Sequence, residues 1–303
     1  MAVHTPSADA PEISPDMTAG AVLTVATTVL RHAGVPSPDL DALLLLAEAT
    51  GASKATVLAH PERPLDEVPA TRYADLVRRR AERVPLAYLL GRREFYGREL
   101  VVSPSVLVPR PETELLVDLA LEYLRGREPT ETWAADVGTG SGVLAVTLAA
   151  ERPGLRLLAT DCSQAALAVA QANAVRHGVA DRVSLVCADL LAGSGGRFAL
   201  IVANLPYIPT AAVDCLMPEV ARHEPRLALD GGPDGLDLNR RLLAQARSRL
   251  APNGLLLLEM GHDQGVALRA EAARLLPTAD VAVVRDLAGC DRVLRVRNAG
   301  SHD

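Results

Sequence analysis

Lysine is almost absent from this chain of 303 residues: Lys54 is the only one among 31 basic side chains. A phosphate-binding P-loop ends in Gly-Lys-Ser/Thr, and Lys54 lies between Ser53 and Ala55, so that class of nucleotide enzyme is excluded. The arginine excess itself reads as a coding bias. Positive charge is also short, with a net charge of -6 and a pI near 5.7. No basic field therefore draws the protein to nucleic acid or anionic lipid, and neither partner is expected. The one basic cluster, Arg78-Arg79-Arg80 beside Glu82, reads as the solvated face of a helix. The four cysteines, Cys162, Cys187, Cys215 and Cys290, lack paired metal spacing and are expected to be buried, reduced thiols of a cytoplasmic protein. The seven histidines form no His-Glu-x-x-His pair, and no Gly-x-Ser-x-Gly elbow surrounds Ser141, so neither a metal site nor a serine nucleophile is expected. No apolar run reaches membrane-spanning length, and Met1 to Asp16 has neither the charged start nor the apolar core of a signal peptide.

What is present suits two domains, with 49% apolar residues to build their cores. Residues 1–16 read as a disordered tail. Residues 17–90 read as short helices with no strand among them: Ser37-Pro38-Asp39 caps a segment carrying Leu40, Leu43, Leu44 and Ala47, and a further helix follows the Pro-rich stretch Pro61 to Pro69. Such a helical domain is either a docking module or a support for its neighbour. Residues 91–108 change to β-type alternation punctuated by Gly97 and Pro104, which predicts a hairpin linker.

From 109 to 298, strands and helices alternate. Strands are predicted from Trp133, Leu155, Val183, Phe198, Leu255, Val281 and Val293, and helices over 142–151, 163–177 and 262–276. This pattern predicts an α/β fold, a doubly wound, Rossmann-like sheet of seven strands behind a small all-α domain.

Three successive strand ends describe an adenosine-shaped pocket. The first runs through Asp136, Gly138, Thr139, Gly140, Ser141 and Gly142 into a helix, with glycines that let the backbone pass close to a ligand. The second ends at Asp161, placed to accept ribose hydroxyls. The third ends at Asp189, for an adenine amino group, with Leu190 to cover the ring. The string from Gly140 also fits the degenerate dinucleotide fingerprint. Asp136 ahead of the glycines favours S-adenosylmethionine instead, because that cofactor carries an ammonium group.

The fourth strand, Phe198 to Ala203, ends in Asn204-Leu205-Pro206-Tyr207. A carboxamide or aryl amine nitrogen is a poor nucleophile, but its two N–H groups are good donors. The Asn204 side-chain oxygen and the Leu205 carbonyl could hold both and leave the face of the nitrogen open. Pro206 biases Leu205 toward an extended backbone, and Tyr207 offers a stacking wall. All four residues are therefore candidate catalytic and substrate-binding residues, and Asn204 borders the cofactor as well. The bland alternative is a strand-ending turn with an incidental aromatic.

With these residues assembled, the chain resembles the protein-(glutamine-N5) methyltransferases that modify class I peptide chain release factors. The specific strings are Arg83-Val84-Pro85-Leu86-Ala87-Tyr88-Leu89-Leu90-Gly91, Glu94-Phe95-Tyr96-Gly97, and Val106-Leu107-Val108-Pro109-Arg110-Pro111-Glu112-Thr113-Glu114. Glu224-Pro225-Arg226 and Arg285-Asp286-Leu287-Ala288-Gly289 add to them. Where the family has Asn-Pro-Pro-Tyr, this chain has Leu205 in the second place. The resemblance implies a cytoplasmic, monomeric enzyme that moves a methyl group from S-adenosylmethionine to a glutamine amide of a release factor, docked through the N-terminal helices. Two alternatives use the same pocket. One is a ribosomal RNA adenine-N6 methyltransferase, whose motif Asn-Leu-Pro-Tyr resembles but whose basic surface this chain lacks; the other methylates a ribosomal protein glutamine. Arg110 and Glu112 are either an ion pair capping the helix that begins there or part of the site wall.

Overall fold

The computed structural model describes residues 13–125 and 132–299. In chain order the helices and strands are α1 (Ala19–His32), α2 (Pro38–Thr50), α3 (Lys54–Ala59), α4 (Glu67–Ala81), α5 (Leu86–Leu90), β1 (Arg92–Phe95), β2 (Arg98–Val101), α6 (Glu114–Arg125), β3 (Thr132–Val137), α7 (Val143–Glu151), β4 (Leu155–Asp161), α8 (Gln164–Arg176), β5 (Val183–Cys187), β6 (Phe198–Ala203), α9 (Pro218–His223), α10 (Asp237–Arg249), β7 (Leu250–Glu259), α11 (Gly265–Leu275), β8 (Asp280–Arg285) and β9 (Asp291–Arg297). They form two compact units: one is built on α1 to α5 together with α9, and the other holds the remaining elements.

The helical unit starts and stops its helices with local chemistry. The Thr18 hydroxyl accepts the Ala21 N–H at 3.3 Å, and α2 opens on Pro38 and ends at Gly51 with φ +68°. Val22, Ala26 and Leu30 of α1 recur every fourth residue and are fully buried with Leu45 and Leu46 of α2 and Tyr73 of α4. The disordered tail expected over 1–16 falls mostly outside the described residues; its end is held, since the Asp16 N–H donates to the Leu65 carbonyl at 3.1 Å.

The basic cluster is not a uniformly solvated face. Arg80 is 4% exposed; it donates to Asp41 at 2.7 Å and to Glu219 of α9 at 3.0 Å. Arg83 adds two bonds to the same Glu219, at 2.7 and 2.6 Å. Burial of a guanidinium is tolerable only with such partners. Arg78 does face solvent, pairing with Asp75 and Glu82.

The second unit begins with a hairpin that turns at Tyr96-Gly97, with Arg92 opposite Val101; Pro104 lies beyond it in a separate turn. The seven-stranded sheet has the order β5-β4-β3-β6-β7-β9-β8. Strands β3 to β7 run parallel, and β9 is antiparallel to both of its neighbours. Ala134, Leu200, Val202, Leu255 and Leu257 fill the core on one face, and Ala135, Val137, Ile201, Leu256 and Leu258 the core on the other. A sheet covered on both faces explains why its strands read as unbroken apolar runs.

The chain order reverses between β3 and β6, which is where open α/β sheets bind ligands, beyond the strand carboxyl ends. Register makes this specific. Val137 of β3 is level with Thr160 of β4 and Ala203 of β6, and Ala203 is level with Leu258 of β7. The next residues, Gly138, Asp161, Asn204 and Glu259, therefore emerge side by side along one edge of the sheet.

All four cysteines are exposed, contrary to the expectation of burial. Cys162 and Cys187 follow or end strands at this same loop-bearing edge, where the chain turns toward solvent instead of running on into the core.

Candidate active site

A cavity of about 310 Å³ opens at this edge, lined by Asp136, Gly138, Thr139, Gly140, Ser141, Asp161, Asp189, Leu190, Asn204, Leu205 and Pro206, with Arg110 and Thr113 on its wall. Eleven of the sequence-derived site residues thus share one space of the size small-molecule ligands occupy. Tyr207 and Gly142 do not line it. The Tyr207 hydroxyl points to Glu259 Oε1 at 3.4 Å, and burial pushes its pKa up to about 12.

The glycine loop spends its backbone donors on the protein itself. The N–H groups of Gly138 and Thr139 both go to the Thr160 carbonyl, at 2.9 Å each, and that of Gly142 goes to the Thr139 carbonyl at 2.8 Å. The Gly140 N–H donates to Asp161 Oδ2 at 2.9 Å. One N–H at the positive end of α7 is taken as well: Asp136 Oδ2 accepts the Ala145 N–H at 3.0 Å and the Thr139 hydroxyl at 2.6 Å. A dinucleotide needs that helix end and those N–H groups for its diphosphate. Here a carboxylate already holds the position, so the loop suits a cation better than a phosphate.

Asp136 is 1% exposed, and its second oxygen, Oδ1, is buried without a hydrogen-bond partner among the described residues. Burial, with Asp161 nearby adding to it, raises its pKa to about 6, against the pull of the Thr139 hydroxyl and the Ala145 N–H. An orphaned carboxylate oxygen on the wall of a cavity suits a positively charged donor.

The three glycines serve three purposes. A Cβ at Gly142 would lie 3.1 Å from Ala170, so this glycine lets α7 approach α8. At Gly138 it would lie 2.8 Å from Leu205 Cδ2, whereas at Gly140 it meets nothing within 4 Å. Only Gly140, at φ +55°, leaves room in front of the loop.

Asp161 accepts from the N–H groups of Gly140 and Ser163, which orients its carboxylate toward the cavity. Asp189 is less free than expected, because Oδ2 accepts from Arg241, a cavity-wall residue that the sequence reading passed over. Leu190 sits in the left-handed region at φ +53°, rare for a leucine and tolerated where a site requires it. Arg110 does not pair with Glu112. It donates to the buried Glu224 at 2.6 Å, and Glu224 also accepts the Val108 N–H at 3.1 Å. Arg110 therefore belongs to the cavity wall.

Asn204 is oriented by two residues absent from the expected set. Its Nδ2 donates to Thr113 Oγ1 at 3.0 Å, and the Thr113 hydroxyl donates to Glu259 Oε2 at 2.8 Å. Glu259 is 1% exposed, and burial pushes its pKa up to about 7. A carboxylate ending an apolar strand was the available signal, and Thr113 lies inside the Pro-Arg-Pro-Glu-Thr-Glu string.

Residues 21–91 match the family model described as the PrmC N-terminal domain, and 113–222 match the methyltransferase small domain. A release factor glutamine methyltransferase of Moorella thermoacetica is 45% identical over 278 residues, spanning 91% of this chain and 97% of the relative. The chain belongs to the release factor glutamine methyltransferase family. Among solved structures, the hMettl16 catalytic domain in complex with a MAT2A 3'UTR hairpin is 18% identical with a TM-score of 0.55, covering 76% of this chain and 83% of that one. A T. thermophilus 16S rRNA N2 G1207 methyltransferase in complex with AdoMet and guanosine is 18% identical with a TM-score of 0.50, covering 68% of this chain and 49% of that one. At such identities these two share the fold alone with this family member.

Proposed function

We propose that the protein transfers a methyl group from S-adenosylmethionine to the side-chain amide nitrogen of a glutamine in a peptide chain release factor. The observation that carries this is the polarity of Asn204: its NH2 is committed to Thr113, while Oδ1 accepts no hydrogen bond among the described residues and the residue stands on the cavity wall. An acceptor so placed suits a ligand that brings N–H donors.

The cofactor fits the residues present. Asp136 Oδ1 supplies the partner its ammonium requires, Asp161 holds its carboxylate toward the cavity for ribose hydroxyls, and Leu190 and Leu144 offer apolar cover for the base. When bound, S-adenosylmethionine supplies a methyl group on a cationic sulfur, which departs as a neutral thioether.

The chain's own contribution is positioning. Asn204 Oδ1 and the Leu205 carbonyl accept the two N–H groups of the glutamine carboxamide and fix its orientation. Two acceptors gripping one nitrogen also favour its pyramidal form, in which the lone pair is less committed to amide resonance. An oriented pair of polar contacts accounts for several orders of magnitude in rate. The methylated nitrogen is acidic enough to lose its proton to water, so no dedicated base is required. Leu205 in the place of the family proline leaves this intact, because the position acts through its main-chain oxygen.

The experiment is direct. Incubation with methyl-labelled cofactor and a purified release factor should label the wild-type factor and leave unlabelled a factor whose target glutamine is replaced by alanine. Labelling of RNA instead, with the release factor unlabelled, would overturn the reading.

A further inference from the structure

Thr113, Glu259 and Asn204 form a chain of hydrogen bonds whose direction is dictated by chemistry. Leu258 and Ala203 are level in adjacent strands, which puts Glu259 and Asn204 side by side, with Thr113 bridging them. Both Thr113 and Glu259 are 1% exposed, so water does not compete for these bonds. Above its pKa of about 7 Glu259 is ionised and has acceptors only, and a hydroxyl has one hydrogen. That hydrogen goes to Glu259. The Thr113 oxygen is left with lone pairs alone to offer Asn204, and only the NH2 end of an asparagine can answer them. Because the amide is planar, with oxygen and nitrogen on opposite sides, Oδ1 must face the other way. The second Glu259 oxygen is engaged by the Tyr207 hydroxyl at 3.4 Å, so the carboxylate has an occupied position on both sides.

We infer that Thr113 and Glu259 are positioning residues that lock Asn204 with its oxygen outward, and that this lock makes the site select a carboxamide over a carboxylate. Without it, asparagine could turn over at little cost and present NH2, which would repel a glutamine amide and welcome a glutamate. The inference rests on the carboxamide reading given above.

The test uses Thr113→Val, which keeps the branched shape and removes the hydroxyl, assayed on intact release factor with labelled cofactor. The kcat is expected to fall about 10- to 100-fold, with the KM for release factor and the Kd for cofactor both within about twofold of wild type. Thr113→Ser should recover at least about half of kcat, since it restores the hydroxyl alone. Glu259→Gln can donate to the Thr113 oxygen and free the hydroxyl to turn toward Asn204, so it should reproduce the kcat loss. A Thr113→Val enzyme with kcat within about twofold of wild type overturns the inference, as does a serine variant that recovers nothing. Loss of melting temperature and cofactor affinity in step with kcat overturns it too, by reducing Thr113 to a structural residue. Failure of the wild-type enzyme to label release factor would strike the carboxamide reading itself; normal wild-type labelling beside an unimpaired Thr113→Val would strike only the lock.

Discussion

The Asp136 carboxylate caps helix α7 through the Ala145 N–H, at 3.0 Å, from a buried position beneath the glycine loop. Oδ2 serves the fold, and Oδ1 has no hydrogen-bond partner among the described residues. Stability and binding should therefore respond oppositely to its charge. Asp136→Asn keeps an acceptor for Ala145 but turns an NH2 toward the cofactor's ammonium. The free variant should melt at or above the wild-type temperature near pH 7, where the buried charge is costly, while cofactor Kd rises about tenfold or more, equivalent to ~1.4 kcal/mol. Calorimetric titration with unchanged affinity would show that Asp136 serves the helix alone.

Asp161 combines a similar pair of duties at the end of β4, tying Gly140 and Ser163 together by their N–H groups. Asp161→Asn should be milder than Asp161→Ala, since the amide retains one acceptor. Alanine is expected to weaken cofactor binding by at least ~30-fold, through loss of both the ribose contacts and the loop geometry. Equal affinities for the two variants would mean that neither oxygen reaches the ligand.

Leu205 and Gly138 constrain one another. A Cβ at 138 would lie 2.8 Å from Leu205 Cδ2, and φ there is +73°. Gly138→Ala should cost ~2 kcal/mol or more in stability and abolish tight cofactor binding. Adding Leu205→Ala removes the clash but not the backbone strain, so the double variant should regain part of the loss. Purely additive melting temperatures would separate the two residues.

Much of this was legible in the sequence, for a physical reason: a strand buried on both faces is written as an apolar run, and its end is written by the first polar or glycine residues after it. Asp161, Asp189 and Asn204 are legible in this way, at or just past strand ends, and Asp136 lies one residue before the end of β3. Lateral partners were not legible. Nothing in a linear chain reveals that Thr113, from the turn before α6, meets Glu259 from β7, or that Arg110 answers Glu224 and not Glu112. The same limit hid the burial of Arg80, whose partners Asp41 and Glu219 lie 39 and 139 residues away. Chain turns at the sheet edge, rather than composition, decide the exposure of Cys162 and Cys187.

Glu259 should give the protein a stability signature in pH. Burial, with Glu112 adding to it, raises the carboxyl from an ordinary 4.5 to about 7, against the lowering pull of the Thr113 and Tyr207 hydroxyls and Arg292. The native state then holds this proton more tightly than the unfolded chain, so stability falls as pH rises between those values, and the full cost stands above pH 7. Glu259→Gln lacks that cost. Its stability relative to wild type should increase across the window by on the order of 2 kcal/mol. Parallel denaturation midpoints at every pH would contradict the burial of a charged Glu259.

The central claim is that the Asn204 oxygen holds the amide that becomes methylated. Single-turnover methyl transfer by Asn204→Ala, at saturating cofactor and release factor, measures it without interference from binding. The account predicts a rate at least ~100-fold below wild type with cofactor affinity within about twofold; transfer at close to the wild-type rate would contradict it.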